Sequence, residues 1–438
     1  MKSRDEIEAA YRAETMASHA QWERSKSSMP GGMVKGAYWY PPYPIYMESG
    51  EGCYLTDLDG RRLVDFANHH TAMILGHSHP DVLAETARWL NAGIGLSAPT
   101  TLEAEAAELL CERVPSVDKV RFTNSGTEAT LHASRLVRAA TGRKKLAKFE
   151  GAYHGSHDSL EVSVAPSLQD AGDAASPEAV PEWDGMSRAT EDTIVLPYND
   201  PETCALILRE HKDEIAAVFY DGKPGTLEIP DDFTRFLRDI TAELGILMVM
   251  DEVISFRVGY SGYQSLCGVE PDLTTFGKVI GGGLPVGAFG GRADLMDMLD
   301  NTRPGSTVYQ SGTYSGNPLT LAAGIANMKA LTPDAYEHLD ALGERLADGL
   351  RHAFTTAGVP ARVVQRGSLL HSYFLDADTS VSDYRILTEH NGDLAHDLFI
   401  ATTLEGSFTG KGEFVLSTPM DDGHIDDLIE ATERVLVA

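Results

Sequence analysis

Nearly continuous apolar runs alternate with amphipathic stretches through the middle of the chain. Residues 215–221, IAAVFYD, and 246–253, ILMVMDEV, are apolar at almost every position, and a helical pattern at 231–244 separates them. Strands apolar on both faces belong in a parallel sheet covered on both sides. Upstream, DKVRFTNSG (118–126) reads as a short strand entering a turn, TEATLHASRLVRAAT as a helix, and KKLAKFEG as the next strand. This alternation predicts an α/β fold with a large doubly wound, mostly parallel sheet.

The ends follow other patterns. Residues 3–28 are polar, contain alanine and lack glycine and proline, which predicts one helix stopped by MPGG at 29–32. GCYLTDLDGRRLVDF (52–66) predicts a hairpin around DLDG, and TLEAEAAELLCERV (101–114) a helix. Residues 163–192, rich in Pro, Ala, Ser, Asp and Gly, read as a long loop or mobile lid. From about 335 the order becomes helix, strand, helix, strand, helix, a smaller α+β domain. The domains drawn from these patterns are 1–75 (N-terminal segment and part of the small domain), 76–334 (large) and 335–438 (the rest of the small domain).

Charge narrows the partners. Among 438 residues the formal net charge is −29, spread without a long acidic run, which argues against the polyanionic surfaces of nucleic acids and membranes. No apolar stretch approaches the roughly 18 residues of a spanning helix, and the N-terminus is charged without an apolar core. Cys53, Cys111, Cys204 and Cys267 form no CxxC pair and read as reduced thiols. A cytoplasmic location is expected.

In open α/β sheets ligands bind beyond the carboxyl ends of the strands. After KVRFT comes NSGTEA, where Ser125, Gly126 and Thr127 open a helix, a ready anion site. After LAKF comes EGAYHG with Tyr153, after ILMVM comes Asp251, and after DLTTFG comes Lys278 followed by three consecutive glycines. A phosphate cradle, an aromatic face, a carboxylate and an amine together suit pyridoxal 5'-phosphate. That cofactor takes a lysine for its Schiff base and an acid for its ring nitrogen.

The motifs RFTNSGTEATLHASRLVRAATGRKKLAKFEGAYHGSHDSL (121–160), DEVISFRVG (251–259), DLTTFGKVIGGGLPVGAFGG (272–291) and QSGTYSGNPLTLAAG (310–324) resemble the class III aminotransferases of fold type I. The resemblance runs from MPGG to the C-terminus, and it is nearest the branch with glutamate-1-semialdehyde aminomutase and β-phenylalanine aminotransferase. It implies that Lys278 carries the cofactor as a Schiff base and moves the proton. It also implies that Asp251 pairs with the ring nitrogen, that Ser125, Gly126 and Thr127 hold the phosphate, and that Tyr153 stacks on the ring. Thr313 would reach the phosphate of a neighbouring subunit, which implies a homodimer with a shared site. The implied activity is transfer of an amino group between amine and keto substrates, with the intramolecular 2,1-aminomutase reaction as the alternative. The intact set of Lys278, Asp251 and NSGT argues against a non-catalytic cofactor-binding protein.

The chain departs from the family pattern in three places. A Glu-Pro pair near the cofactor is replaced by Asp221-Gly222, which predicts a looser loop at 222–228. DEVISFRVG has Ser255 where the family has glycine, near Arg257, a candidate for the substrate carboxylate. Lys35 and Lys411 stand where carboxylate-binding arginines are expected, and a lysine offers a point charge without a bidentate fork. HHTAMILGHSHP (69–80) holds four histidines; His70 is a candidate for the substrate pocket and no metal is expected.

Overall fold

The computed structural model describes residues 1–186, 190–304 and 308–437. By packing it divides into a larger unit, Pro80–Tyr336 with Val381–Thr388, and a smaller one, Met1–His79, Glu337–Ser380 and Glu389–Ala438. The cuts fall near those drawn from the sequence, but the return of Val381–Thr388 to the larger unit was not foreseen. Particular bonds hold that return: Glu228 N–H donates to Val381 O at 2.8 Å, and the Arg385 fork grips Glu150 at 2.9 and 3.0 Å.

The larger unit carries a seven-stranded sheet in the order Lys119–Thr123, Gly287–Gly291, Leu273–Gly277, Leu247–Asp251, Ile215–Tyr220, Lys145–Phe149, Thr193–Leu196. All pairings are parallel except those of Gly287–Gly291, which runs antiparallel to both neighbours. Ile215–Tyr220 is buried at every position, as its unbroken apolar run requires. Phe122 lies opposite Ala288, so Phe122 and Phe289 point to opposite faces. Phe289 packs with Ala133, Leu136 and Val137 of the helix Gly126–Thr141. Phe122 packs with Leu102 and Ala106 of Thr101–Arg113 and with Leu321 and Ile325 of Pro318–Ala330. Both faces are therefore covered, and the sheet is doubly wound.

In the smaller unit the single helix expected over 3–28 is two, Arg4–Glu14 and Met16–Ser25. The break is at Thr15 (φ −127°, ψ 41°), whose buried hydroxyl donates to Tyr11 O at 2.6 Å and lies 3.0 Å from the Tyr43 hydroxyl. A buried threonine that bonds its own backbone competes with helix continuation, and nothing in the local pattern shows that Tyr43 waits beside it. The expected hairpin forms, Tyr54–Asp57 against Arg62–Asp65, in a four-stranded sheet that Ser407–Phe408 completes from the C-terminal region. The unit is thus built from both ends of the chain, an α+β arrangement as expected.

The 163–192 stretch is a loop with one short pair, Gly172–Asp173 against Ser176–Pro177. It is anchored: Ser163 Oγ donates to Glu178 O and accepts from Val180 N–H, and Arg385 donates to Gly172 O and Ala171 O. The lid expectation falls partly on 187–189, outside the described residues. No helix among the described residues is long and apolar enough to cross a membrane.

Candidate active site

The larger unit gathers its chemistry at one end of the sheet. Strand Lys119–Thr123 runs into Ser125, whose side chain caps the 16-residue helix Gly126–Thr141 by accepting from Glu128 N–H at 3.1 Å. The helix therefore starts at the strand end with its positive pole and backbone donors forward. Thr127 Oγ1 accepts from Ser156 N–H at 3.2 Å, which ties this terminus to the loop carrying Tyr153. A Cβ on Gly126 would stand 2.9 Å from both methyls of Val253, so no side chain fits there.

Asp251 ends the strand Leu247–Asp251 and is 6% exposed. Its Oδ2 lies 2.8 Å from His154 Nδ1, while Oδ1 accepts from Thr275 Oγ1 at 2.9 Å and Val253 N–H at 3.1 Å. Burial alone would push its pKa up, but the bonds from His154, Val253 and Thr275 outweigh it and hold the pKa below the usual carboxylate value. Asp251 is therefore a buried anion. His154 is fully buried, with Nε2 lacking a hydrogen-bond partner among the described residues. The sequence reading passed over His154 and Thr275. His154 stood in the quoted EGAYHG motif, but only the fold shows which residue after the strand turns back to Asp251.

Lys278 follows the strand Leu273–Gly277 with φ +48°, a left-handed conformation that costs a non-glycine residue about 1–2 kcal/mol. Such strain concentrates at functional sites. Gly282 (φ +58°) and Gly283 (φ +95°) then take the chain through a tight turn. A Cβ on Gly282 would meet Ala323 O at 2.6 Å. The later glycines have a different task, which the turn expectation missed: Gly287–Gly291 is a strand, so close to Ser125 that a Cβ on Gly287 would overlap the Ser125 carbonyl.

The other candidates are placed as follows. Tyr153 is half exposed beside this site, its hydroxyl 3.0 Å from Ser156 Oγ. Thr313 lies in an exposed segment with Tyr309 and Tyr314, just beyond undescribed residues 305–307. Arg257 is 0% exposed in the turn Ser255–Val258, within electrostatic reach of Tyr336. It sits within the packing of the larger unit, away from any surface open to substrate. The remaining candidates belong to the smaller unit, around a cavity of about 720 Å³ lined by Met33, Val34, Tyr38, Trp39, Phe399 and Phe408. His70 and Lys411 also line it, and Lys35 Nζ lies 4.3 Å over the Tyr38 ring, which in turn is 5.7 Å from the His70 ring. Burial pushes the Lys411 pKa down.

The model of the class III aminotransferases matches residues 36–392. The chain belongs to this family. Among curated relatives, glutamate-1-semialdehyde 2,1-aminomutase of Heliobacterium modesticaldum is 42% identical over 94% of this chain and 94% of the relative. Among solved structures, an ω-transaminase from Sphaerobacter thermophilus is 39% identical with a TM-score of 0.93, covering 98% of this chain and 99% of the other. A β-phenylalanine aminotransferase from Variovorax paradoxus is 34% identical with a TM-score of 0.88, covering 99% and 97%. The chain has fold type I and is a pyridoxal-phosphate enzyme.

The residues of this aminotransferase suit that cofactor. A helix N-terminus without room for a side chain at Gly126 fits a phosphate, and a buried anion fits a protonated ring nitrogen. Two family departures also have physical reasons here. A Cβ on Gly222 would overlap the ring of Tyr263, so a proline at 222 has no space. The loop is not loosened by the loss: Asp221 Oδ1 accepts from Tyr198 Oη at 2.5 Å, and Thr226 and Leu227 N–H both donate to Lys223 O. Ser255 Oγ donates at 2.7 Å to Glu252, a fully buried carboxyl that also accepts from Tyr263 and Gln264 N–H.

Proposed function

We propose that this enzyme moves an amino group between two molecules, from an amine or amino-acid donor to a keto acceptor. Lys278 Nζ takes and returns the proton at the substrate's amine-bearing carbon. Asp251, kept anionic by His154 and Thr275, holds the positive charge on the ring nitrogen of the cofactor. Bound there, pyridoxal phosphate supplies an electron sink for the pair left at that carbon. Ser125, Gly126 and Thr127 hold its phosphate and Tyr153 covers its ring. Thr313 reaches the phosphate of a second copy, making the enzyme a homodimer. Four cysteines without a disulfide fit a cytoplasmic enzyme.

The observation that carries transfer between molecules is the cavity. It is large and mostly apolar, and its cations, Lys411 and Lys35, are point charges without an arginine fork. Such a wall suits a donor with an apolar arm better than a small zwitterion. The curated relatives' names favour a second reading, an intramolecular shift of the amine as in glutamate-1-semialdehyde 2,1-aminomutase. One experiment separates the two. The cofactor-loaded protein is given single amine donors and the released ketone or aldehyde is measured; separately it is given 4-amino-5-oxopentanoate and assayed for the 5-amino-4-oxo isomer. Release of keto product with an apolar donor supports the proposal. Isomerisation without release from any donor refutes it and establishes the mutase.

A further inference from the structure

Asn68, His69, His70 and Thr71 have φ of 53°, 47°, 52° and 76°. Four consecutive non-glycine residues in the left-handed region form one turn of left-handed helix, with ψ of 53° and 51° at the two histidines. L-residues enter this region as single positions, glycine and asparagine excepted. A strained run persists only where its surroundings over-determine it.

Those surroundings centre on Asp65. It ends the strand Arg62–Asp65 and is 1% exposed. Its Oδ1 accepts from Ala67 N–H at 3.0 Å and Asn68 N–H at 2.8 Å, the two donors that lead into the turn. Its Oδ2 lies 2.7 Å from His77 Nε2. His77 is fixed in turn by two backbone bonds with Gly52, 2.7 and 3.0 Å, and its ring lies so close to Gly50 that a Cβ there would stand 2.7 Å from Cγ. Beyond the turn, Met73 N–H closes onto Asn68 O at 3.2 Å. Asn68 and Thr71 point inward and are buried, while His69 and His70 are exposed and line the cavity.

We propose that Asp65 and His77 are positioning residues for substrate selection. They hold the chain left-handed across 68–71 so that the two histidines face the cavity. A right-handed turn would send successive side chains in other directions. The inference rests on the reading that the cavity takes the donor's apolar arm.

Two measurements test it. The first compares kcat/KM for 1-phenylethylamine and isopropylamine in the wild type, Asp65→Ala and His77→Phe. The ratio between the donors should fall about tenfold in each variant, as one lost contact of about 1.4 kcal/mol implies. Equal losses for both donors, or none, overturn the proposal. The second needs no activity. Glycine tolerates φ of 52°, so His70→Gly should raise Tm in the wild type by relieving strain. In the Asp65→Ala background the turn is free to relax, and the same change should give little or no rise. Additive Tm shifts overturn the proposal. If the wild type transfers no amine from either donor, the functional reading falls, and the Tm cycle alone decides whether Asp65 holds the turn.

Discussion

Gly287→Ala tests how the glycine strand supports the phosphate turn. The added Cβ would overlap the Ser125 carbonyl oxygen and stand 2.5 Å from its carbon. Ordinary contact between carbons needs about 3.5 Å, so either the strand or the helix N-terminus must move by about 1 Å. Neither has slack: Gly287 pairs with Gly277 on one side and Thr123 on the other. Overpacking of this kind costs about 1–3 kcal/mol of stability. A 1 Å displacement of the Ser125–Thr127 turn also moves the phosphate donors, and displacements of that size cost about a hundredfold in turnover. The assay is titration of cofactor-free protein with pyridoxal phosphate, followed by kcat at saturating cofactor and urea unfolding. Gly142→Ala is the control. Gly142 caps the same helix at its far end with φ 70° and nothing within 4 Å of an added Cβ. It should lose about 1–2 kcal/mol of stability through backbone strain alone, with cofactor affinity unchanged. If Gly287→Ala binds cofactor and turns over like the wild type, the argument that these glycines exist for close approach is wrong.

Other outcomes follow from the same geometry. Asp251→Asn keeps the shape but removes the buried anion, and kcat should fall by about a hundredfold or more while the protein stays folded; turnover within threefold of wild type would remove Asp251 from the mechanism. Gly222→Pro, which restores the family's residue, should destabilise the chain unless Tyr263 is cut back to alanine, and urea midpoints of the two variants decide this. Asp272 would be pushed up by burial, but Met248 N–H, Arg238 and Arg292 hold its pKa below the usual value. Its contribution is therefore complete above the unfolded value of about 3.9 and is lost as pH falls through the lower folded value. The destabilisation of Asp272→Asn should be full at pH 7 and clearly smaller at pH 3.

The sequence by itself determined much of this protein. Its unbroken apolar runs required a sheet buried on both faces, because polar water-facing positions are missing from Ile215–Tyr220 and Leu247–Asp251. Strand ends then named Ser125, Asp251 and Lys278, since a residue following a parallel strand is carried to the ligand edge whatever the loop does next. Tertiary structure decided what local pattern cannot encode. Thr15 breaks a helix because Tyr43, distant in sequence, receives its hydroxyl. GAFGG is a strand despite its glycines because its neighbours leave no volume for side chains. His154 belongs to Asp251 because the chain doubles back across nearly a hundred residues. The left-handed turn at 68–71 is invisible in NHHT, because its conformation is imposed by the carboxylate of Asp65 and the contacts of His77, and propensity would choose otherwise.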